Sequence, residues 1–403
     1  MEPIKALKAI KKITSDYFTS AHMASHNNKP VVYCNVFTPV ELIYAMDMFP
    51  VYPENHAAII GARKMATELS SAAEGMGYVM DLCSYARCDI GWTKAGISPT
   101  WGLPKPDLVL VINCQCGTLT KWFEVLSRLY NAPMVLIDIP HSGNGEKDLA
   151  AETYVRRQLD SLVKTLESIK GKSLDESKFK DVIRLSKQAS ELWTQMLIMG
   201  ENVPSPMTVF DQFISMFPIV SQRGTETAVE FYGNLVKELQ DRVETKTSAV
   251  PNERFRLFWD NLPIWAELGR LSSFLADRGA AVVTSIYTWA WSQLAVNEHD
   301  PLTDWTNQYL YTFNLNLDYR IEKYVELAER YKLDGFLFHS NRSCKWISQD
   351  VIALRDSIVE RTGIPGVIFE ADQNDPRLYS FENIEKQIEN FIELLTWRNQ
   401  KVS

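Results

Sequence analysis

The chain reads as an α/β fold of two doubly wound domains, each on a parallel sheet, with a helical N-terminal segment and a helical connecting region. Three observations predict this. The apolar run Leu108 to Ile112 enters a polar cluster holding Cys114 and Cys116, followed by a helical stretch and a second run from Ala132 to Asp138. Far along the chain the pattern returns, with Leu333 to Phe338, then Asn341, Ser343 and Cys344, a helical stretch, and Ile364 to Glu370. Continuous rather than alternating apolar strands, joined through a helix, mark parallel βαβ units covered on both faces. Between the two units, Gly143 to Val250 is charge-rich and carries Val182, Leu185, Ala189, Leu192 and Met196 at helical spacing.

The remaining elements follow in order. Met1 to Asp16 carries four lysines without an apolar stretch ending in small residues, so an amphipathic helix is expected rather than a signal peptide. Pro30 to Phe37 reads as a strand, with Thr38 as N-cap and Pro39 as first residue of the next helix. Gly61 to Gly75 looks helical and leads into Met80 to Cys88. Arg254 to Trp259 and Gly279 to Ser285 open the second α/β half, and Glu382 to Arg398 closes it as an amphipathic helix. The expected division is 1–29 (N-terminal helical segment), 30–142 (first α/β domain, with Cys83 and Cys116), 143–250 (helical connector) and 251–403 (second α/β domain, with Cys344). The halves look like distant internal copies.

Composition narrows the function. A length of 403 residues suits two or three domains. The net charge of -8 argues against nucleic acid, whose phosphates need a basic face. No window approaches 18 uninterrupted apolar residues, so no membrane span is expected. Six irregularly spaced cysteines are not a disulfide framework. They fit a cytoplasmic chain whose reduced thiols are free to bind metal.

Chemistry in open α/β sheets gathers beyond the carboxyl ends of the strands. Cys116 and Cys344 fall there, each where a helix begins, and Cys83 lies in a loop with Tyr85 and Arg87. Three such thiolates suit an iron–sulfur cluster, although their spacing is unlike ferredoxin runs; the alternative is three small buried apolar side chains. Cys34 inside a strand reads as core, only one of Cys83 and Cys88 suits a ligand position, and Cys114 ranks behind Cys116. Glu54 is either a general base or a surface carboxylate. His56 and His339 read as hydrogen-bonded structural residues, and nothing has the pattern of a catalytic triad. Gly171-Lys172-Ser173 has the ending of a phosphate loop, but Leu166 stands where that loop needs glycine, so no nucleotide is expected on this chain.

At Tyr52-Pro53-Glu54-Asn55, Asp81 to Arg87, Lys121-Trp122-Phe123-Glu124, Asn341 to Lys345 and Asp372 to Arg377, the chain resembles the catalytic subunits of the 2-hydroxyacyl-CoA dehydratase and benzoyl-CoA reductase family. The resemblance covers nearly the whole length. It implies two flavodoxin- or Rossmann-like domains holding a [4Fe-4S] cluster on Cys83, Cys116 and Cys344, a homologous second catalytic subunit, an acyl-CoA between the subunits, and a separate ATP-hydrolysing iron–sulfur activator. It further implies either radical dehydration of an (R)-2-hydroxyacyl-CoA through a ketyl radical, or partial reduction of an aryl-CoA ring. A third reading is an electron-storing cluster protein of the same superfamily. Glu54 and Asn55 are the expected catalytic pair, with Asn35, Tyr85, Arg87 and Trp289 expected at the substrate. The block Ile139 to Gly145 favours the reductase branch, whereas the Cys344 block and the length favour the dehydratase. The segment Tyr287 to Trp291 either lines a pocket for a flat or apolar acyl group or is simply core.

Overall fold

A computed structural model describes residues 2–141, 146–312 and 316–402. Helix α1 (Ala9–Ala24) precedes the first half, which comprises β1 (Val31–Cys34), α2 (Val40–Ala45), β2 (Phe49–Val51), α3 (Pro53–Ala62), α4 (Ala66–Glu74), α5 (Ser84–Ala95), β3 (Leu108–Ile112), α6 (Gly117–Tyr130) and β4 (Met134–Ile137). Four helices connect the halves: α7 (Leu149–Lys170), α8 (Glu176–Met199), α9 (Val209–Ser221) and α10 (Glu226–Glu244). The second half comprises β5 (Phe255–Asp260), α11 (Leu268–Ala276), β6 (Ala280–Ser285), α12 (Ile286–Trp289), α13 (Pro301–Asn307), α14 (Leu317–Arg330), β7 (Gly335–Asn341), α15 (Lys345–Ser348), α16 (Val351–Thr362), β8 (Gly366–Ala371) and α17 (Phe381–Val402).

Both sheets are wholly parallel and share one topology. The first runs β2-β1-β3-β4 and the second β6-β5-β7-β8, so each half has the order 2-1-3-4 in its own strands. That is the flavodoxin-like order, whose switch point lies between the first and third strands. The third strands are β3 and β7, which lead to Cys116 and Cys344. Strand β3 is buried along its whole length, because helices cover both faces, and this is why its sequence is continuously apolar. The two α/β halves of the sequence reading are thus observed, with the helical connector between them. Among the described residues no helix is long and apolar enough to cross a membrane.

Local expectations shift in three places. Pro39 occupies the N-cap and α2 begins at Val40, while the Thr38 hydroxyl donates to Asn35 Oδ1 at 3.1 Å. The stretch Gly61 to Gly75 is not one helix, since Lys64 at φ +59° ends α3 before α4 begins. The block Ile139 to Gly145 is only partly described, residues 142–145 lying outside the described residues.

The halves are clasped by the turn after β8. Asp372, Gln373, Asn374 and Asp375 are all buried. Asp375 Oδ2 accepts Arg87 Nη1 at 2.9 Å and Arg377 Nη2 at 2.6 Å, and Glu74 accepts from both arginines at 2.8 and 2.6 Å. Ser343 donates to Asp372 and accepts the Ser84 N–H at 3.1 Å. Asn374 Nδ2 donates to Ala57 O at 2.7 Å, across a gap so narrow that a Cβ on Gly61 would lie 2.0 Å from Asn374 Oδ1. Arg87 therefore sits in the clasp, fully buried, and not at the substrate position expected of it.

Removing one member of a buried charge set strands the others, at a cost of about 3–5 kcal/mol. Arg87→Met is therefore expected to lower the urea midpoint of unfolding by that equivalent, whereas removing the exposed Arg128 leaves it nearly unchanged. Equal midpoints for the two variants in circular dichroism would refute the clasp.

Candidate functional site

The carboxyl ends of both sheets face one cavity of about 410 Å³, within the range of small-molecule sites. Glu54 and Asn55 reach it from the end of β2, Gln115 and Cys116 from β3, Tyr287 from β6, Cys344 from β7, and Gln373 from β8. Cys83 and Tyr85 reach it from the start of α5. Each of the three cysteines is the N-cap residue of a helix: Cys83 of α5, Cys116 of α6 and Cys344 of α15. Backbone N–H groups of the first turn, those of Ala86 and Tyr85, of Leu119 and Thr118, and of Ile347, lie near enough to these sulfurs to favour their charged form. Gln373 Nε2 adds a further donor 3.6 Å from Cys83 Sγ.

Burial works against those donors. It pushes all three thiols up, Cys344 to about 12, and the mutual closeness of the sulfurs adds to the rise at Cys83 and Cys344. Thiols so placed ionise only beside a cation, and a coordinated metal supplies one. Among the described residues no three His, Cys, Asp or Glu side chains converge on the position of a single ion. The three sulfurs are instead set around a shared space, a donor set that fits a polynuclear iron–sulfur group better than a lone ion. The other cysteines stand apart from the cavity. Cys34 is buried in β1, Cys88 lies within α5 against Ser70 and Asn374, and Cys114 is buried beneath Cys116.

Glu54 is positioned by a short relay. Its Oε2 accepts the Val36 N–H at 2.9 Å, and the Gln115 side chain donates to the same carboxylate. Gln115 is held in turn by Asn35, whose Nδ2 donates to Gln115 Oε1 at 2.7 Å and to Ile112 O at 3.2 Å. Asn35 is fully buried and does not line the cavity, so it positions Glu54 rather than touching substrate as expected. Burial lifts the Glu54 carboxyl to about 7, and the two hydrogen bonds oppose that rise only in part. Asn55 Nδ2 and Gln373 Oε1 are buried without a hydrogen-bond partner, a state that costs free energy unless a ligand or water satisfies them.

Of the residues expected at the substrate, Tyr85 and Trp289 do line the cavity, while Arg87 and Asn35 do not. Tyr287 is the residue that the sequence reading missed as a polar group, having been taken only as part of an aromatic wall. It stands near Glu54 and Cys344, whose charges, after burial, raise its hydroxyl above the usual tyrosine range. The internal repeat held the signal: Tyr287 follows the second strand of its half, as Glu54 follows the second strand of the first. Tyr85 accepts the Trp265 indole N–H, which leaves its own O–H to donate.

Ser98, His56 and Asp89 form a hydrogen-bonded chain, with Ser98 Oγ 2.8 Å from His56 Nε2 and His56 Nδ1 2.9 Å from Asp89. The order resembles a hydrolytic triad, which the sequence reading did not anticipate. However, none of the three lines the cavity, and the second Asp89 oxygen accepts the indole N–H of Trp122 at 2.9 Å. The chain fixes Trp122, which is on the cavity wall. His339 is likewise buried, bonded at Nδ1 to Leu262 O, and burial lowers it to about 4.

Residues 35–395 match the family model described as 2-hydroxyglutaryl-CoA dehydratase, D-component. The chain is 33% identical over 404 residues to the (R)-2-hydroxyisocaproyl-CoA dehydratase alpha subunit of Clostridioides difficile, covering 99% of this chain and 98% of the relative. It is 29% identical over 397 residues to the (R)-phenyllactyl-CoA dehydratase alpha subunit of Clostridium sporogenes, covering 98% and 97%. A subunit of the benzoyl-CoA reductase of Thauera aromatica is 30% identical over 380 residues, covering 90% of this chain and 88% of that protein.

Proposed function

The chain belongs to the 2-hydroxyglutaryl-CoA dehydratase D-component family, and from that premise we propose that it is the cluster-bearing subunit of an enzyme dehydrating (R)-2-hydroxyacyl-CoA to 2-enoyl-CoA. The observation that carries this reading is the meeting of three helix-capping cysteines with Glu54 on one cavity. Cys83, Cys116 and Cys344 would hold a [4Fe-4S] cluster, and their helix N-terminal amides and Gln373 would offset the thiolate charge. When bound, the cluster would lend an electron for a ketyl radical at the thioester, recovering it at the end of this redox-neutral reaction, and would offer an open iron as Lewis acid for a substrate oxygen.

The protein groups supply the rest. Net dehydration removes the hydroxyl from C2 and a proton from C3, and Glu54 is placed to take that proton. Asn35 and Gln115 fix the carboxylate's rotamer. Tyr287, Tyr85 and Asn55 offer O–H and N–H donors to the thioester oxygen and to the departing hydroxyl, as preorganised donors do where charge develops. The aromatic wall excludes water from these groups. Four of the relatives are named alpha subunits, which supports a homologous partner subunit here. The low-potential electron would come from a separate ATP-hydrolysing iron–sulfur activator.

Two outcomes are expected of the cluster and base. In anaerobically purified protein, Cys83→Ala, Cys116→Ala and Cys344→Ala each lose iron, sulfide and the brown chromophore while keeping their circular dichroism, whereas Cys34→Ala retains all of them. Wild-type protein without iron would defeat the reading. Glu54 is a neutral acid below pH 7 and a carboxylate above it, so kcat/KM should rise through about that pH. Glu54→Gln should lose this limb together with about 10²–10⁴-fold in kcat. Both need the complex with partner, activator and ATP, assayed side by side for enoyl-CoA from a 2-hydroxyacyl-CoA and for cyclic diene from benzoyl-CoA. Diene alone would place the protein in the reductase branch instead.

A further inference from the structure

Beside the polar groups, the cavity wall is apolar and largely aromatic. Helix α9 contributes Phe213, Ile214, Met216 and Phe217, and Ile286 and Leu268 stand with them. The wall begins at the chemistry itself, because the Phe213 ring lies 6.2 Å from the Tyr287 ring. A substrate held at Glu54 and Tyr287 has this surface beside it.

The charges around the cavity are balanced. Among the described residues only Glu54, Asp350, Arg320 and Lys323 bring formal charge to the lining. Arg320 is buried between Asp350 at 2.6 Å and Asp260 at 3.7 Å. Lys323 pairs with Glu326 at 2.8 Å and lies 5.5 Å from the centre of the Trp289 ring. One Arg320 group, Nη2, has no hydrogen-bond partner, so a neutral acceptor can be met there, but no uncompensated cation waits for a second carboxylate. None of the residues outside the described ones is Lys or Arg. An acyl chain ending in a carboxylate would lose its hydration here without gaining a counter-charge, which is costly.

Resting on the function proposed above, we infer that the substrate's side chain is uncharged and bulky, branched aliphatic or aryl, and that Phe213, Phe217 and Ile286 select it against dicarboxylic acyl groups. Aromatic and aliphatic burial favours such a chain by the area it removes from water, while a short chain such as that of lactate leaves the wall unfilled.

The test uses the assembled enzyme with its partner, prepared anaerobically, and two independent measurements. Calorimetric titration without reductant or ATP compares (R)-2-hydroxy-4-methylpentanoyl-CoA, (R)-phenyllactyl-CoA, (R)-lactoyl-CoA and (R)-2-hydroxyglutaryl-CoA. The first two are expected to bind at least about 100-fold more tightly than the dicarboxylic compound, with lactoyl-CoA between. Turnover with activator and ATP should follow the same order in kcat/KM. Equal or tighter binding of 2-hydroxyglutaryl-CoA overturns the inference even where dehydration is observed. The expected binding order with no dehydration of any compound upholds the side-chain selection and overturns the dehydratase reading instead.

Discussion

Two carboxylates buried at the end of one strand set the terms for the rest of this molecule. Asp372 and Asp375 have no exposed surface, and an unpaired carboxylate in such a place is not tolerated. Arg87 must therefore come in from α5, and Ser343 must stand between Asp372 and Ser84. Those partners adjoin the first and third cysteine positions: Ser84 and Arg87 follow Cys83, and Ser343 precedes Cys344. The electrostatic demand of the turn thus fixes the distance between two helix N-termini that belong to different halves. Gln373, inside the same turn, reaches Cys83 Sγ. Burial raises Asp375 but Arg377 and Arg87 outweigh it, so its carboxyl sits below the ordinary range. The clasp is thereby held ionised at neutral pH and weakens only as pH falls below that range.

The duplicated topology explains why function concentrates where it does. With strand order 2-1-3-4 in each sheet, the loops after the first and third strands diverge to opposite sides and leave a crevice. Two such crevices set face to face make one cavity. Equivalent positions then take parallel roles. Asn35 after β1 bonds the end of β3, and Asn261 after β5 bonds His339 O in β7 at 3.0 Å. Cys116 and Cys344 cap the helices after the third strands, and Glu54 and Tyr287 follow the second strands. Cys83 has no counterpart of this kind.

That asymmetry also marks what could be read from the residues alone. The strand–cysteine–helix units were legible because a continuous apolar run and a helix N-terminus leave a local pattern, and they pointed to Cys116 over Cys114. Cys83 lies in no such pattern; its loop with Tyr85 and Arg87 made it a candidate, and the resemblance of its block strengthened it over Cys88. Arg87 and Asn35 were misplaced because polarity near a strand end does not reveal which way a side chain turns. Arg87 is drawn off by a carboxylate 288 positions later, and Asn35 is satisfied by the backbone of β3. Tyr287 was hidden by its company. Among Trp289 and Trp291 it reads as wall, and its hydroxyl gains meaning only once the second sheet faces the first.

Under the proposed function, side-chain selection and the basicity of Glu54 meet in one cavity. Glu54 receives two hydrogen bonds that favour its charged form, yet its carboxyl rises to about 7 because desolvation is the larger effect. Glu54 and the apolar wall line one cavity, so under the proposed function side-chain selection and proton affinity are linked. A substrate that fills the wall excludes more water and makes the carboxylate a better proton acceptor when the acyl chain is in place. One that leaves the wall hydrated relaxes Glu54 toward an ordinary carboxylate and weakens it as a base. In the proposed reaction, apolar packing thus acts on the rate through the basicity of a residue it need not touch.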